Sequence, residues 1–368
     1  MAKIVYIADV CKEIFAGGDV PKSALSYEKT AEYNVPIFSN GEKDCGLYGY
    51  TNNARVKEPS ITVSARGTIG YTAIRTEPFV PVVRLITLTP KSEVIDLDYL
   101  FYATQNYRFE GSGTSIPQLT VPMLKKYKFQ LPEMSHQKAI AVKFEKLDQL
   151  ISLRKQQLAK LDELVKARFV EMFGDINVNN KKWMTYPLGE LCTIVRGGSP
   201  RPIERYLGGT IPWIKIGDAT TGENIYLNST KEYIIQEGVK KSRMIKAGSL
   251  IFANCGVSLG FARIITFDGC IHDGWLAMED IDEKLDKIFL LYSLNQMTEY
   301  FRKTAPAGTQ PNLNTNIMKM HRQIVPPMEM QKAFISFVKC ADRQKQIVQQ
   351  SLEKLELMKK ALMQEYFG

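Results

Sequence analysis

Histidine, cysteine and acidic side chains build most catalytic and metal sites, and this sequence has only three histidines and six cysteines. Only one of its three histidines has an acidic neighbour, in the pair His272-Asp273. We interpret this pair as a loop or strand-end hydrogen bond rather than an acid–base couple. The six cysteines lie at least 15 residues apart, so the chain has no C-x-x-C zinc or redox pair. We expect free thiols, as in proteins of the reducing cytoplasm.

The segment Gly17-Gly18-Asp19-Val20-Pro21-Lys22-Ser23 superficially resembles a phosphate-binding loop. That motif needs glycine directly before Lys-Ser, whereas Pro21 stands there and removes a backbone donor. The related segment Gly197-Gly198-Ser199-Pro200 has no lysine, which favours a turn in both places. The sequence also lacks an N/D-P-P-Y/F methyltransferase tetrapeptide, H-E-x-x-H and G-x-S-x-G. We therefore expect no catalytic residue here, and any chemistry to belong to a partner.

The composition indicates a globular protein with a nucleic-acid partner. The chain has 368 residues, of which 45% are hydrophobic and 24% charged, enough for about two domains. The net charge of +9 favours an anionic partner, most commonly nucleic acid. No apolar run approaches the roughly 18 residues of a membrane span, and the beginning of the chain does not read as a signal peptide. We expect a cytoplasmic location.

An internal repeat organises the chain. Glu171-Met172-Phe173-Gly174 recurs as Glu365-Tyr366-Phe367-Gly368, and Gln137-Lys138-Ala139 recurs as Gln331-Lys332-Ala333, both at an offset of 194. Near the start of each half the offset is 180, as between Gly17 and Gly197. The second copy therefore carries about 14 extra residues. The tails resemble each other more than the heads do, which indicates a shared task for the tails and a copy-specific task for the heads.

Each repeat divides into a globular zone and a long helix. Residues 1–132 and 187–326 have short β-rich runs, such as Ile61–Val63, Val82–Leu88 and Leu250–Phe252, between Gly- and Pro-marked turns. We also predict one helix in each zone, near Asp98–Arg108 and near Leu285–Arg302. Residues 133–174 and 327–368 form the long helices. The prediction is an α/β protein with two globular domains and two antiparallel coiled-coil helices, related by a pseudo-two-fold axis.

A heptad pattern predicts that the two helices pair with each other. Between Ser135 and Phe173 eight of ten a and d positions are apolar or aliphatic. A helix of about 60 Å with an apolar stripe needs a partner. The alternative is that each helix folds onto its own domain. The predicted seam comprises Phe144, Leu147, Ile151, Leu158, Leu161, Val165, Val348, Leu352, Leu355 and Leu362.

Two kinds of loop offer groups that suit nucleic acid. Arg66-Gly67-Thr68-Ile69-Gly70 fits a G-x-x-G backbone clamp, a hairpin that needs positive φ at glycine, or both. The amide-rich loops at 113–119 and 308–316 suit adenine edges and phosphates, and equally suit turns and caps. Long cations suit phosphates, and amides suit base edges. The candidate DNA-binding residues are Arg66, Thr114, Ser115, Gln118, Lys215, Gln310, Asn312, Asn314 and Asn316.

The whole arrangement resembles the specificity subunits of type I restriction–modification systems. The strongest marks are Pro117-Gln118-Leu119, Leu131-Pro132 and Gln137-Lys138-Ala139, with their counterparts 194 residues later. Gly197-Gly198-Ser199-Pro200 and Ile211-Pro212-Trp213-Ile214 look like the opening of a target-recognition domain. The first copy departs there, with Asp19-Val20-Pro21 after its glycines.

The resemblance implies that the two domains are target-recognition domains that read the two halves of a split double-stranded DNA target. The helices are then a spacer that fixes the distance between the halves. Partners would be two modification subunits, which bind S-adenosylmethionine and methylate adenine, and restriction subunits, which use ATP and Mg²⁺ to translocate and cut DNA. The chain itself would hold no cofactor, metal or catalytic site. It would contact no membrane and would serve defence against phage.

Two other functions compete with a DNA reader. One is a single-chain nuclease or methyltransferase with an unrecognised site, which the missing motifs and the unlike repeats weigh against. The other is a coiled-coil scaffold without DNA contact, which the net charge and the amide-rich loops weigh against.

Overall fold

The computed structural model describes residues 3–107, 118–218, 225–305 and 312–368. The chain forms two compact units, Met1–Lys155 with Gln349–Gly368, and Gln156–Val348. Each unit contains one globular zone, part of the long helix that follows it, and part of the long helix of the other repeat. The units therefore cut across the boundaries drawn from the repeat, because both long helices change unit near their middle.

The globular part of the first unit is α/β. Its four-stranded sheet, in the order β2-β8-β5-β6, is antiparallel throughout, and a three-stranded sheet has the order β4-β3-β7. β1 pairs with β9, so the two ends of this zone are joined. The elements are β1 Lys3–Tyr6, α1 Ile7–Val10, β2 Cys11–Ala16, β3 Val35–Phe38, β4 Leu47–Thr51, β5 Ser60–Val63, β6 Thr72–Arg75, β7 Val80–Pro81, β8 Ile86–Pro90, α2 Leu97–Asn106, α3 Val121–Lys125 and β9 Lys128–Leu131. The first long helix, α4 Met134–Phe173, follows.

The second unit has the same arrangement, with one more strand in each of its two larger sheets. A five-stranded sheet has the order β11-β19-β16-β17-β13, a four-stranded sheet has the order β14-β12-β18-β15, and β10 pairs with β20 as β1 does with β9. The elements are β10 Thr185–Pro187, α5 Leu188–Leu191, β11 Thr193–Arg196, β12 Leu207–Ile214, β13 Tyr226–Leu227, β14 Glu232–Ile234, α6 Gln236–Val239, β15 Arg243–Ile245, β16 Leu250–Ala253, β17 Ala262–Ile265, β18 Gly269–Ile271, β19 Trp275–Glu279, α7 Lys287–Gln296, α8 Thr298–Thr304, α9 Thr315–Met320 and β20 Arg322–Ile324. The second long helix is α10 Met328–Phe367.

Most of the predicted elements are present, and two differ. The helix predicted near Leu285–Arg302 is two helices, α7 and α8, which meet at Met297. The β-rich run Val82–Leu88 is a strand only from Ile86 onward. Its first half is a turn, in which the Leu85 N–H donates to the Val82 carbonyl at 3.0 Å. Local β-propensity is overridden there by contacts with a distant segment.

The long helices pair antiparallel within each unit. In the first unit, the Phe144 and Phe367 rings lie 5.8 Å apart, and the Arg154 Nε donates to Ser351 Oγ at 3.1 Å. Residue numbers therefore increase along α4 in the direction in which they decrease along α10, so the two helices run antiparallel. In the second unit, the Phe169 and Phe334 rings lie 5.3 Å apart and Asp162 forms an ion pair with Lys345. The paired helices also pack on their domain, since Phe144 belongs to the core of the first unit.

The predicted seam positions are buried or half-buried. Leu158, Leu161, Leu355 and Leu362 are half-buried. The buried members are Phe144, Leu147, Ile151, Val165, Val348 and Leu352. At the end of α4 the buried residues are Phe169 and Phe173. Each lies one residue after a position at which the heptad pattern would continue, Arg168 and Met172. A straight helix has 3.6 residues per turn, so its buried stripe moves away from a strict heptad.

A buried glutamine fastens the start of each long helix to its own domain. The Gln137 Oε1 accepts from the Asp96 N–H at 2.9 Å, and its Nε2 donates to the carbonyls of Val94 and Pro132. Gln331 repeats this arrangement, accepting from the Asp286 N–H at 2.8 Å and donating to the carbonyls of Lys284 and Pro326. The repeated Gln-Lys-Ala motif therefore encodes a joint between helix and domain.

Within the described ranges, no helix is both long enough and apolar enough to cross a membrane.

We predict that Leu352→Asp destabilises the chain, whereas Leu357→Asp, on the same helix, does not. Leu352 is 6% exposed, so its replacement would bury a carboxylate at a cost of about 3 kcal/mol. Leu357 is 67% exposed and provides the matched control. Urea unfolding measures both free energies. Equal loss in the two variants would contradict the pairing of the helices.

A second prediction concerns pH and His321. Its Nε2 is buried and has no hydrogen-bond partner within the described part of the chain, and burial lowers the pKa of this imidazole to about 4. An unfolded histidine titrates near 6.5, so between pH 6.5 and 4 the unfolded chain binds the proton and the folded chain does not. Stability should therefore fall as the pH is lowered through this window, by up to about 3 kcal/mol from this group.

His321→Leu should make the free energy of unfolding less dependent on pH between 6.5 and 4 than it is in the wild type. His136→Leu, the same substitution at an exposed position, is the matched control. Parallel pH profiles for the wild type and His321→Leu would refute this assignment.

Candidate nucleic-acid interface

In the first unit, Arg66 lies on an exposed hairpin between β5 and β6. Gly67 and Gly70 have φ of 69° and 87°, which non-glycine residues adopt with difficulty. The Ser64 N–H donates to the Tyr71 carbonyl at 2.8 Å, and the Gly70 N–H donates to the Ser64 carbonyl at 2.9 Å. The glycines thus make a hairpin with positive φ, which is one of the two interpretations of this segment given by the sequence. The hairpin leaves Arg66 exposed to solvent.

The structure brings Arg66 together with Gln118, another candidate residue. The Nε and Nη2 of Arg66 both donate to the Gln118 Oε1, at 3.1 and 2.8 Å. The adjacent Leu119 N–H donates to the Ala65 carbonyl at 2.9 Å, which holds the two loops side by side. The amide oxygen of Gln118 is therefore occupied by Arg66, and its NH₂ group remains for other contacts. Thr114 and Ser115 lie outside the described residues.

The second unit juxtaposes the equivalent loops. The Leu313 N–H donates to the Asn254 carbonyl at 2.8 Å, as Leu119 does to Ala65. The Asn254 Nδ2 donates to the Asn312 Oδ1 at 3.4 Å. Asn254 is fully buried, and its Oδ1 has no hydrogen-bond partner among the residues that the structure describes. Gln310 lies outside the described residues.

Asn314 and Asn316 lie at the start of α9. Asn314 is the N-cap of this helix, and its Oδ1 accepts from the Ile317 N–H at 3.0 Å. Asn316 is exposed. Asn314 thus fulfils the capping alternative left open by the sequence, because a helix start leaves backbone N–H groups that a side-chain oxygen can accept from.

Lys215 lies beside an acidic residue rather than free in solution. Its Nζ is 2.6 Å from the Glu232 Oε1 and 5.6 Å from the centre of the Trp213 ring. Binding a phosphate would require this cation to share or leave Glu232. Lys215 can therefore contact a DNA phosphate only if its ion pair with Glu232 rearranges.

In the second unit a cationic cluster, which consists of Arg196, Arg201 and Lys215, lies around His272. No sequence motif predicted this cluster. Gly197 packs on this loop, where a side chain would collide with the His272 carbonyl. The Arg196 Nε donates to the Asp273 carbonyl at 2.9 Å, and Ser199 Oγ donates to the Asp273 Oδ1 at 2.7 Å. Arg196 and Arg201 flank the Gly-Gly-Ser-Pro segment, and that position was the available sequence signal.

Hydrogen bonds at His272 support the interpretation of a loop anchor. Its Nδ1 accepts from the Gly274 N–H at 2.9 Å. Burial lowers the pKa of His272, and the nearby Lys215, Arg201 and Arg196 lower it further, against the opposite effect of Asp273. Burial would raise the pKa of Asp273, but the Ser199 hydrogen bond and the charges of His272, Arg196 and Arg201 outweigh it and hold this pKa below its usual value. A neutral imidazole that accepts a backbone hydrogen bond organises the turn.

The described part of the chain contains no group of three or more histidine, cysteine, aspartate or glutamate side chains that could hold a metal ion.

Comparison with known proteins identifies the family. The sequence model described as "Type I restriction modification DNA specificity domain" matches residues 2–163 and 180–357, which is most of the chain and covers both repeats. The chain belongs to this family. The tandem repeat, the paired helices and the two unlike domains are thus features of a type I specificity subunit.

Relatives by sequence carry the same description. A putative type I specificity subunit of Mycoplasma pneumoniae is 35% identical over 172 residues, which is 44% of this chain and 47% of the relative. The MjaVIII specificity subunit of Methanocaldococcus jannaschii is 23% identical over 306 residues, covering 76% of this chain and 71% of the relative. Across three Mycoplasma relatives the matched share is 41–63% of their length.

Two solved structures show the same fold. The specificity subunit from M. genitalium aligns with a TM-score of 0.55 at 16% identity, covering 100% of this chain and 96% of the other. A chain from a study of assembly and conformational transition of the type I restriction–modification system aligns with a TM-score of 0.64 at 15% identity, covering 100% and 97%.

Proposed function

We propose that this specificity subunit reads the two halves of a bipartite double-stranded DNA target, one with each globular domain, and carries no catalytic site of its own. The observation that supports this most directly is the repeated pairing of loops: 65–70 beside 118–119 in the first unit, and 254–260 beside 312–313 in the second. The loops occupy the same place in the repeat but present different side chains. Different half-sites would require such a difference.

The side chains on these loops suit a division between phosphate and base contacts. Arg66, Lys215 and the Arg196–Arg201 cluster supply long cations for phosphates or mixed contacts. Gln118 and Asn312 supply amides, the groups that recognise adenine edges. We keep Gln310, Asn314 and Asn316 as candidates among the amides, with Asn314 limited to its NH₂ group. Thr114 and Ser115 remain candidates whose hydroxyl groups suit phosphates.

The chain would also hold the catalytic subunits together at the DNA, in the cytoplasm. Two modification subunits would supply S-adenosylmethionine-dependent adenine methylation, and restriction subunits would supply ATP- and Mg²⁺-dependent translocation and cleavage. Their docking place is suggested by the side of α4 that faces away from the helix seam. In the first unit this side exposes Val142, Leu150 and Leu153, the last by 57%. Exposed apolar side chains that lie on one helix face are typical of an interface.

We predict that the two domains are separable in specificity. Gln118→Ala should relax one half-site and Asn312→Ala the other, each by about 1–3 kcal/mol at one or two bases. The measurement is methylation of a randomised target library by the complex with modification subunits, followed by sequencing of the modified positions. Gln130→Ala, an exposed glutamine on β9, is the control. A wild-type complex without preference for any sequence would refute the proposed function.

We also predict that Leu153→Asp weakens assembly with modification subunits without lowering the thermal stability of the chain. The exposed leucine contributes little to folding, whereas a carboxylate in an apolar interface costs about 2 kcal/mol or more, roughly 30-fold or more in affinity. Gln130→Asp makes the same charge change at an exposed site outside this helix face. Sedimentation or mass photometry of the mixed subunits measures assembly. Unchanged assembly of Leu153→Asp would mean that the modification subunits dock elsewhere.

A further inference from the structure

A turn in the first domain holds two non-glycine residues in the left-handed conformation. Val83 and Arg84 have φ of 53° and 66°, and they are the central residues of the turn closed by the Leu85 N–H and the Val82 carbonyl. Turns with positive φ at both central residues favour Asn-Gly. A β-branched residue such as valine is an outlier at positive φ, so this turn stores strain.

Contacts with three distant residues keep the turn in this conformation. The Val83 N–H donates to the Gly18 carbonyl at 2.8 Å, and the Arg84 N–H donates to the Gly17 carbonyl at 3.2 Å. The Asn40 Nδ2 donates to the Val83 carbonyl at 2.6 Å. Gly17 permits this approach because a side chain there would lie 2.6 Å from the Pro81 backbone. The surrounding structure thus maintains a conformation that the turn sequence disfavours.

Asn40 also connects this turn to the Arg66 hairpin. Its Oδ1 accepts from the Ala65 N–H at 2.7 Å, while its Nδ2 holds Val83. One side chain therefore fixes the spacing between two turns that each carry an exposed arginine, Arg66 and Arg84. The Arg66 guanidinium is oriented in turn by Gln118.

The exposed side chains of the turn complement DNA. Val83 is 44% exposed, so the strain presents an apolar β-branched side chain to solvent. The thymine methyl is the apolar group that base pairs display in the major groove, and small apolar side chains contact it. Arg84, next to it, supplies a cation of the kind that neutralises phosphates. Strain kept at an exposed turn is typical of a functional site.

We infer that the Val83–Arg84 turn is a base-reading element of the first target-recognition domain, in which Val83 packs on a thymine methyl, Arg84 contacts the adjacent phosphate, and Asn40 is a positioning residue. This inference rests on the proposed DNA-reading function and assigns it residues that no sequence motif marks.

The first test replaces the strained turn by a relaxed one, in the full chain bound to its modification subunits. Val83→Asn with Arg84→Gly should raise the melting temperature and abolish the preference for thymine at one position of one half-site. Lys182→Gly is the matched control, since Lys182 is exposed, has φ of 56°, and loses the same charge. It should also relieve strain but leave both half-sites unchanged.

The second test removes the methyl group from the DNA. Replacing thymine by uracil at that position should weaken wild-type binding about four-fold, as expected for one buried methyl group. The same replacement should not affect Val83→Ala, a variant that keeps the backbone with little change. Arg84→Ala should reduce the slope of log affinity against log salt by about 1.

Asn40→Asp tests the positioning role. It keeps the acceptor for Ala65 and loses the donor to Val83, so it should reduce the thymine preference at that position. Asn40→Gln, which retains both kinds of group on a longer side chain, should restore part of the preference.

These experiments distinguish a failure of the proposed DNA-reading function from a failure of the inference about the Val83–Arg84 turn. If the wild type shows no half-site preference at all, the proposed function fails. If the wild type is specific but the relaxed-turn and Val83→Ala variants keep the full thymine preference and the full uracil effect, the function stands and the inference about this turn is overturned.

Discussion

Each long helix has an apolar stripe that it cannot bury alone, and the structure follows from how that stripe is covered. Within each compact unit the stripe meets the antiparallel helix of the other repeat, and aromatic rings at the meeting points continue into the domain core. Phe144 and Phe367 do so in the first unit, Phe169 and Phe334 in the second. Since burial of apolar area is the main favourable term in folding, neither unit is complete without residues from both repeats.

The joint between helix and domain turns this packing into a fixed geometry inside each unit. Gln137 and Gln331 are almost fully buried, and each satisfies one backbone donor and two backbone acceptors. A different helix direction would break these hydrogen bonds and leave a buried amide unsatisfied, which costs free energy of folding. The hydrogen bonds therefore restrain the direction of the helix relative to its own domain. The loops that we propose for recognition belong to the same units as these joints.

The loops that we propose for recognition share backbone hydrogen bonds in the two repeats, while their side chains differ. Leu119 and Leu313 make equivalent hydrogen bonds to the strand-end turns, yet the neighbouring pairs are Arg66 with Gln118 and Asn254 with Asn312. Backbone hydrogen bonds tolerate changes of side chain, so the same scaffold can present different residues in the two repeats. In the first domain the side chain of Asn40 also links the strained Val83–Arg84 turn to Ala65, at the start of the hairpin that carries Arg66.

The sequence by itself determined the repeat, the two long helices and the class of protein, because helical periodicity and repeated motifs are local signals that survive without knowledge of packing. It also named Arg66 and Gln118, though not their contact. Only the tertiary structure decided that Val82–Leu85 is a left-handed turn rather than a strand, that Asn314 is occupied as a cap, and that Asn40 links two distant turns. These features depend on hydrogen bonds between residues 25 to 67 positions apart, or on which of several permitted partners an amide meets. No local pattern in the sequence encodes such choices, since they are made by the surrounding fold.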